Sequence, residues 1–227
     1  QSNVVGFANV IDAATRHDVR HMVYASSSSV YGSRAGEPFV PTDRVDEPES
    51  LYAATKRSNE LIAVAYSKVH RLQTTGLRFF TVYGPWGRPD MASLKFVRAV
   101  LTGEPVRLFN NGEMYRDFTY IDDVVDGVLR AIDRGIGSGA TEPCARLFNI
   151  GYGNPIQLVE FVRVIERATG TVARVELLPM QAGDVYGTWA DTTSFRETFG
   201  WSPQVGIETG MKRLVEWYQD YYDPPDP

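Results

Sequence analysis

The chain has 227 residues with 43% hydrophobic and 12% aromatic content, enough for one good hydrophobic core and a smaller second one. Its formal net charge of −5 is spread without a basic run, which excludes a nucleic-acid partner, and one cysteine with three scattered histidines excludes an internal disulfide and a zinc site. No apolar stretch approaches the roughly 18 residues that cross a bilayer and no signal peptide pattern is found, so the sequence predicts a cytoplasmic protein without a membrane partner.

Helical and strand periodicities alternate along the chain, which is typical of α/β proteins with a parallel sheet. We predict helices over residues 4–14, 52–69, 93–101, 122–134, 158–169, 193–199 and 209–221. We predict strands over residues 21–26, 76–83, 106–109, 147–150 and 174–177. The strand, helix, strand order within residues 21–83 predicts a parallel crossover, so the first half reads as the closing strands of a doubly wound sheet.

A tyrosine and a lysine stand four residues apart at the start of the helix predicted over residues 52–69. This spacing puts the Tyr52 phenol and the Lys56 ammonium on one face, one turn apart. A neighbouring cation favours the phenolate, and a free tyrosine with a pKa near ~10 needs such help to act as a base at neutral pH. A chance pair on a solvated helix face is the alternative.

Four consecutive serines, residues 26–29, lie at the end of the first predicted strand, where ligands bind in open parallel sheets. Two interpretations stay open for them. The hydroxyls either face a ligand or satisfy their own backbone in a turn, and the presence of Tyr52 downstream favours a ligand.

With these two motifs the chain resembles the extended short-chain dehydrogenases/reductases, within them the NAD-dependent epimerases and dehydratases. Their active site joins a serine or threonine after this strand to a Tyr-x-x-x-Lys helix, which corresponds to Ser27, Tyr52 and Lys56. The resemblance continues through residues 78–85 (RFFTVYGP), 116–123 (RDFTYIDD), 183–184 (GD) and 190–191 (AD), and so covers essentially the whole chain. It implies part of a Rossmann-type NAD-binding domain over residues 1–84, with 118–150 returning to it, and a mixed α/β substrate domain formed mainly by 85–117 and 151–227.

The resemblance also implies a role for each site residue. Tyr52 removes a proton from a sugar hydroxyl while the sugar carbon gives hydride to NAD, Lys56 lowers the tyrosine pKa and holds the nicotinamide ribose, and Ser27 hydrogen-bonds the sugar oxygen. The other residues implied at the cofactor and the sugar are Phe79 and Val82 beside the nicotinamide, and Ser28 and Ser29, which share the work of Ser27.

The reaction follows from residues that the chain lacks. Dehydratases of this family carry Asp-Glu beside the catalytic threonine, and decarboxylases carry a glutamate there. Only serines stand between Ala25 and Val30. We therefore expect epimerisation at C4 through a 4-keto sugar, which needs no additional acid.

The sugar is indicated by Thr81 and by residues 85–92 (PWGRPDMA), which resemble those of UDP-glucuronate 4-epimerases. A 4-keto uronate is a β-keto acid that loses CO₂ readily, so its C5 carboxylate must be held; the resemblance implies Thr81, the serines and Arg88 for this. The alternative for Arg88 is a loop arginine in a surface salt bridge. In that case Arg88 does not bind a carboxylate, and the alternative substrates are UDP-glucose and UDP-galactose or their N-acetyl forms.

The resemblance places three more residues at the nucleotide. Arg116 neutralises the diphosphate, for which a guanidinium has suitable geometry. Asp184 and Gln181 meet the ribose side, although many relatives have arginine where Gln181 stands, which leaves the second phosphate contact open.

Several conspicuous residues are expected to be structural. Asp122 and Asp123 are predicted to cap the following helix, and Trp86 and Trp189 to fill core. Gly151 and Gly153 are expected to form a tight turn.

No G-x-x-G-x-x-G turn, which dinucleotide binding of this type needs, occurs in the sequence. We expect a piece of a longer enzyme; the alternatives are that another chain supplies that part or that this is a non-catalytic nucleotide-sugar-binding protein. Family members often form homodimers through a four-helix contact. We expect one here through the first two helices, with Val64 and Tyr66 facing it.

Overall fold

The structure is a computed structural model that describes residues 1–33, 36–135, 144–180 and 185–222. It confirms the α/β class with parallel strands. The helices are α1 (Val5–Arg16), α2 (Leu51–His70), α3 (Ala92–Thr102), α4 (Ile121–Arg134), α5 (Leu158–Thr169), α6 (Thr193–Phe199) and α7 (Ile207–Tyr222). The strands are β1 (His21–Ser27), β2 (Gln73–Phe79), β3 (Thr81–Tyr83), β4 (Val106–Leu108), β5 (Tyr115–Arg116), β6 (Phe118–Tyr120), β7 (Ala145–Ile150), β8 (Ile156–Gln157) and β9 (Val175–Leu177).

The main sheet has the strand order β1-β2-β7, with all strands parallel. Helix α2 is the predicted crossover from β1 to β2. In the register Ser27 lies beside Phe79, and Phe79 beside Ile150. The three strands therefore end along one edge, and the loops that leave this edge build the candidate site.

The strand predicted over residues 76–83 is wrong as a single element, because the chain changes sheets at Phe80. The Phe80 N–H donates to the carbonyl of Ile150 at 3.0 Å, whereas the Thr81 N–H donates to the carbonyl of Asp117 at 3.1 Å. From Thr81 onward the chain is β3, which pairs with β6. The apolar run continues through the switch, so hydrophobic periodicity does not reveal it.

Two structural predictions for side chains are also wrong. Trp86 is 73% exposed, with a left-handed φ of 61°, and its ring lies on Trp217 and Tyr221 at the surface. Asp123 lies in the first turn of α4 rather than at its N-cap, which is Tyr120. Its buried carboxylate accepts hydrogen bonds from the backbone N–H groups of residues 204 and 205 at 3.0 and 2.9 Å. Asp123 thus holds the turn before α7 against α4.

Two hydrophobic clusters support the site. One joins β3, β4, β6, α3, α5 and α7, and in it the rings of Phe118 and Phe161 stack with centroids 3.9 Å apart. The other packs α4 and α6 on β2 and β7 around Phe148, Phe195 and Trp201. Helix α6 thus packs on the main sheet. The predicted domain division instead assigns residues 151–227, which include α6, mainly to the substrate domain.

A buried ion pair joins α2 to the middle strand of the main sheet. Glu60 and Arg78 are 0% and 1% exposed, and two parallel hydrogen bonds of 2.8 and 2.9 Å connect them. Ser26 donates to the same carboxylate at 2.6 Å, and the guanidinium lies 4.7 Å from the Tyr31 ring centroid. Burial alone would raise the pKa of Glu60, but the hydrogen bonds and charge of Arg78, with the bonds from Ser26 and Arg57, lower it.

We expect Glu60→Gln to lower the free energy of unfolding by about 3–5 kcal/mol at pH 7, because it leaves the Arg78 charge buried and uncompensated. A lowered pKa in the folded state contributes stability above the usual value of 4.5, which is lost as the pH falls through the folded value. The difference between the variant and the natural chain should therefore shrink below pH 4.5. Denaturant unfolding at several pH values measures it.

Glu160→Gln is the control, since Glu160 pairs with two exposed arginines on α5 and should leave stability almost unchanged. A Glu60→Gln chain as stable as the natural one at pH 7 would refute this account of the ion pair.

Candidate active site

The serine run at the end of β1 divides into structural and accessible hydroxyls. The Ser26 hydroxyl is committed to Glu60. Ser27 caps the short 3₁₀ helix Ser28–Tyr31: its Oγ accepts from the Ser29 N–H at 3.2 Å and donates to the Ser29 Oγ at 3.1 Å. The backbone interpretation therefore applies to Ser27, whereas Ser28 and Ser29 border a cavity and stay predicted ligand residues.

That cavity has a volume of about 140 Å³ and lies between the serine loop, the start of α2 and β5. Most of the residues that line it are polar, and they include one cation and one carboxylate. The lining residues are Ser28, Ser29, Gly32, Glu49, Ser50, Arg116, Val185 and Thr188. Hydroxyls facing a guanidinium are suited to a polyhydroxy, anionic ligand.

Tyr52 and Lys56 occupy the first two turns of α2, immediately after the cavity residue Ser50. Ser50 is the N-cap of the helix, and its Oγ accepts from the Ala53 N–H at 3.1 Å. The Lys56 ammonium donates to the carbonyl of Ala25 in β1 at 3.1 Å and lies 5.9 Å from the centroid of the Tyr52 ring. Partial burial lowers the pKa of Lys56, while the Tyr52 side chain remains half exposed and accessible to a ligand.

The residues expected at the nicotinamide lie where β2 passes into β3. Phe79 and Val82 are half-buried against the cluster of the main sheet. Thr81, between them, is also half-buried, and its N–H is bonded to Asp117. All three stay predicted ligand residues, and of them Phe79 lies beside Ser27 at the carboxyl edge of the main sheet.

Arg116 is the one predicted substrate cation that the structure places in the cavity. Its Nη1 donates to the carbonyls of Tyr115 and Tyr186 at 2.9 and 3.3 Å, which fixes the guanidinium across β5. Arg88 does not line the cavity; its side chain is 72% exposed and pairs with Asp90 at 2.6 Å. This contact is the surface salt bridge considered as its alternative. Gln181 and Asp184 lie outside the described residues.

Sequence reasoning missed several residues of this region. Glu49, Val185 and Thr188 line the cavity, and no motif marks them. Glu60 could have been found, because it continues the face of Tyr52 and Lys56 by one more turn. Asp117, which follows Arg116, is fully buried, and its carboxylate accepts backbone N–H groups from two loops.

A family model agrees with this arrangement. Residues 1–151 match the NAD dependent epimerase/dehydratase family. A probable UDP-glucuronate 4-epimerase of Rhizobium meliloti (strain 1021) is 43% identical over 233 residues, covering 97% of this chain and 68% of the relative. The chain belongs to this family.

Solved structures of family members have the same fold. MoeE5 in complex with UDP-glucuronic acid and NAD matches with a TM-score of 0.85 and 32% identity, over 96% of this chain and 71% of that one. UDP-glucuronic acid 4-epimerase from Bacillus cereus, in complex with UDP-glucuronic acid and NAD, gives a TM-score of 0.88 and 29% identity over 97% and 68%. Recognition of the epimerase/dehydratase family from the Ser27, Tyr52 and Lys56 pattern is thereby confirmed.

The cofactor of this family is NAD, and the described residues suit its nicotinamide–ribose half. Lys56 presents a half-buried ammonium, a donor for ribose hydroxyls, beside the exposed Tyr52 phenol. Within the described ranges no three His, Cys, Asp or Glu side chains are grouped as metal ligands. In the same ranges no helix has the length and apolar character to span a membrane.

Proposed function

We propose that this epimerase/dehydratase family member performs NAD-dependent C4 epimerisation of a UDP-sugar, and that the sugar is glucuronate, with UDP-galacturonate as the product. The observation that carries the proposal is the Tyr52 and Lys56 pair at the N-terminus of α2. The N-cap of this helix, Ser50, lines a cavity together with Ser28, Ser29 and Arg116. This juxtaposition joins a base to a site for a sugar and a diphosphate.

In this reaction Tyr52 takes the proton from the C4 hydroxyl and later returns it to the same oxygen. When bound beside Lys56, Phe79 and Val82, NAD would supply the oxidising and reducing chemistry at C4. The Lys56 ammonium keeps positive charge beside the phenol, while Ser27, Ser28 and Ser29 hydrogen-bond the sugar oxygens. Arg116 compensates the charge of the diphosphate.

The uronate assignment rests on the resemblance of residues 85–92 and on the names of the relatives. It requires Arg88 to leave Asp90 when substrate binds and to reach the C5 carboxylate together with Thr81. An exposed pair of this kind contributes little, so exchanging one carboxylate for another has a small cost. Gln181 and Asp184 complete the proposed contacts to the nucleotide, and Phe79 and Val82 those to the nicotinamide.

Two alternatives remain distinct in their tests. A UDP-glucose/UDP-galactose 4-epimerase is favoured by the exposed position of Arg88 in its ion pair. A non-catalytic nucleotide-sugar-binding protein would bind the UDP-sugar at the same cavity without converting it.

The proposed domains are residues 1–84 with 118–150, and a second domain formed mainly by residues 85–117 and 151–227.

Tyr52→Phe should reduce conversion of UDP-glucuronate by about 10²–10⁴-fold, since it removes the proton acceptor and nothing else. The chain is incubated with UDP-glucuronate and NAD, and the products are resolved against a UDP-galacturonate standard. Tyr221→Phe, at an exposed tyrosine of α7, is the matched control and should convert normally. UDP binding without conversion by the natural chain would instead support the binding-protein alternative.

Arg88→Ala separates the two epimerase assignments. It should lower kcat/KM for UDP-glucuronate and leave UDP-glucose conversion unchanged, because only the uronate has a C5 carboxylate. Arg98→Ala serves as the control, because it removes an exposed arginine of α3 that is paired with Glu104. Equal losses of activity on both sugars would contradict the uronate assignment.

We further propose a cytoplasmic homodimer formed through α1 and α2. Both helices expose apolar side chains, Val5 and Val10 on α1 and Leu61 on α2. Val64 is half-buried three residues after Leu61, whereas Tyr66 packs into the cluster between α1, α2 and β1.

Leu61→Asp should convert the dimer to a monomer in multi-angle light scattering, because it places a charge in the apolar contact. Leu129→Asp, an equally exposed leucine on α4, should remain dimeric. A natural chain that is monomeric at micromolar concentration would exclude this dimer.

A further inference from the structure

We propose that Asp117 is a positioning residue for the nucleotide-sugar site. Its buried carboxylate holds residues 185–191, called here the wall segment, in the place where Thr188 and Arg116 meet the ligand. The identity of that ligand, a uridine diphosphate sugar, rests on the proposed function. The role assigned to Asp117 rests on the hydrogen bonds around it.

The carboxylate of Asp117 accepts three backbone N–H groups. Its Oδ1 accepts from the N–H of Tyr152 at 2.7 Å, and its Oδ2 accepts from those of Gly153 and Ala190, both at 2.9 Å. The side chain is 0% exposed. One acidic group thus ties the loop after β7 to the wall segment, whose Ala190 is 73 residues away in sequence.

The same residue connects the wall segment to the cavity. The Asp117 N–H donates to the Thr188 Oγ1 at 3.2 Å, and Thr188 lines the cavity. Arg116 donates to the carbonyl of Tyr186, which also belongs to the wall segment. Asp117 therefore bonds directly to the segment that places the Thr188 hydroxyl beside the guanidinium of Arg116.

Close packing leaves the wall segment one position relative to β5. Gly187 lies against the face of the Tyr115 ring, so closely that a Cβ at residue 187 would collide with it. Backbone bonds from Tyr115 to Tyr186 and from Thr188 to Tyr115, each 3.3 Å long, flank this contact. Gly187→Ala therefore forces the wall segment and the Tyr115 ring apart without altering Asp117 or any residue that lines the cavity.

Asp123 provides a matched control for a merely structural role. It is also a buried aspartate whose carboxylate accepts two backbone N–H groups, those of Gln204 and Val205. The turn that it holds packs beside α4 and contributes no residue to the cavity. If Asp117 acted only through general stability, Asp123→Asn would have the same effect on ligand binding as Asp117→Asn.

The test measures UDP binding by titration calorimetry for the natural chain, Asp117→Asn, Gly187→Ala and Asp123→Asn, with thermal unfolding of each. An amide at residue 117 turns an N–H₂ donor toward at least one backbone donor, so the wall segment shifts. We expect the Kd for UDP to rise by about tenfold in Asp117→Asn and Gly187→Ala, which corresponds to the loss of one hydrogen bond. In Asp123→Asn the Kd should stay unchanged. In turnover of the UDP-sugar, Asp117→Asn should raise KM and leave kcat nearly unchanged, because Tyr52 and Lys56 are untouched.

The outcomes separate the two claims. A natural chain that does not bind UDP contradicts the proposed function. A natural chain that binds UDP, with an Asp117→Asn variant of equal affinity or an Asp123→Asn variant that is weakened as much, overturns the role of Asp117. Should Asp117→Asn fail to fold, Gly187→Ala decides: weaker binding supports the role, and unchanged binding overturns it.

Discussion

The carboxylate of Glu60 and the guanidinium of Arg78 meet in the interior, and their contact determines how α2 lies on the main sheet. Each group is completely removed from water, so each depends on the other and on the Ser26 hydroxyl and the Tyr31 ring for compensation. Helix α2 also carries Tyr52 and Lys56, two turns and one turn before Glu60. The ion pair therefore fixes the height and rotation of the proposed base relative to the serine loop at the end of β1.

A second buried acid performs a comparable task on the other side of the site. Asp117 collects backbone donors from the loop after β7 and from the wall segment, and Asn149 adds bonds of 2.7 and 3.0 Å to the carbonyls of Phe39 and Asp191. Segments distant in sequence are thus brought together by buried polar side chains as well as by short backbone bridges. Such directional contacts specify one arrangement of loops, which apolar packing alone does not impose.

The serine run illustrates how one motif serves structure and function together. Ser26 stabilises the Glu60 carboxylate and Ser27 caps a short helix, which leaves Ser28 and Ser29 at the cavity. The Ser27 hydroxyl bonds the hydroxyl and the N–H of Ser29 and so helps to position Ser29 at the cavity. Trp86, in the loop beside Arg88, shows that an aromatic residue can pack without being buried. It stays at the surface and contacts the rings of Trp217 and Tyr221.

The sequence by itself determined the α/β class, the order and approximate limits of the helices, and the family, because periodicity and the Tyr52 to Lys56 spacing are local properties of the chain. It also indicated Arg116 and the serines as site residues, and the structure places Arg116, Ser28 and Ser29 at one cavity. Only the tertiary structure decided that the apolar run at residues 76–83 serves two sheets, that Arg88 rests in an ion pair, and that Glu60 and Asp117 hold the site together. The change of sheets and the contacts of Glu60 with Arg78 and of Asp117 with Ala190 join residues that are from 18 to 73 positions apart, and no pattern along the chain encodes which of them meet. Asp90 is only two residues from Arg88, but the sequence leaves open whether Arg88 pairs with it or with a ligand.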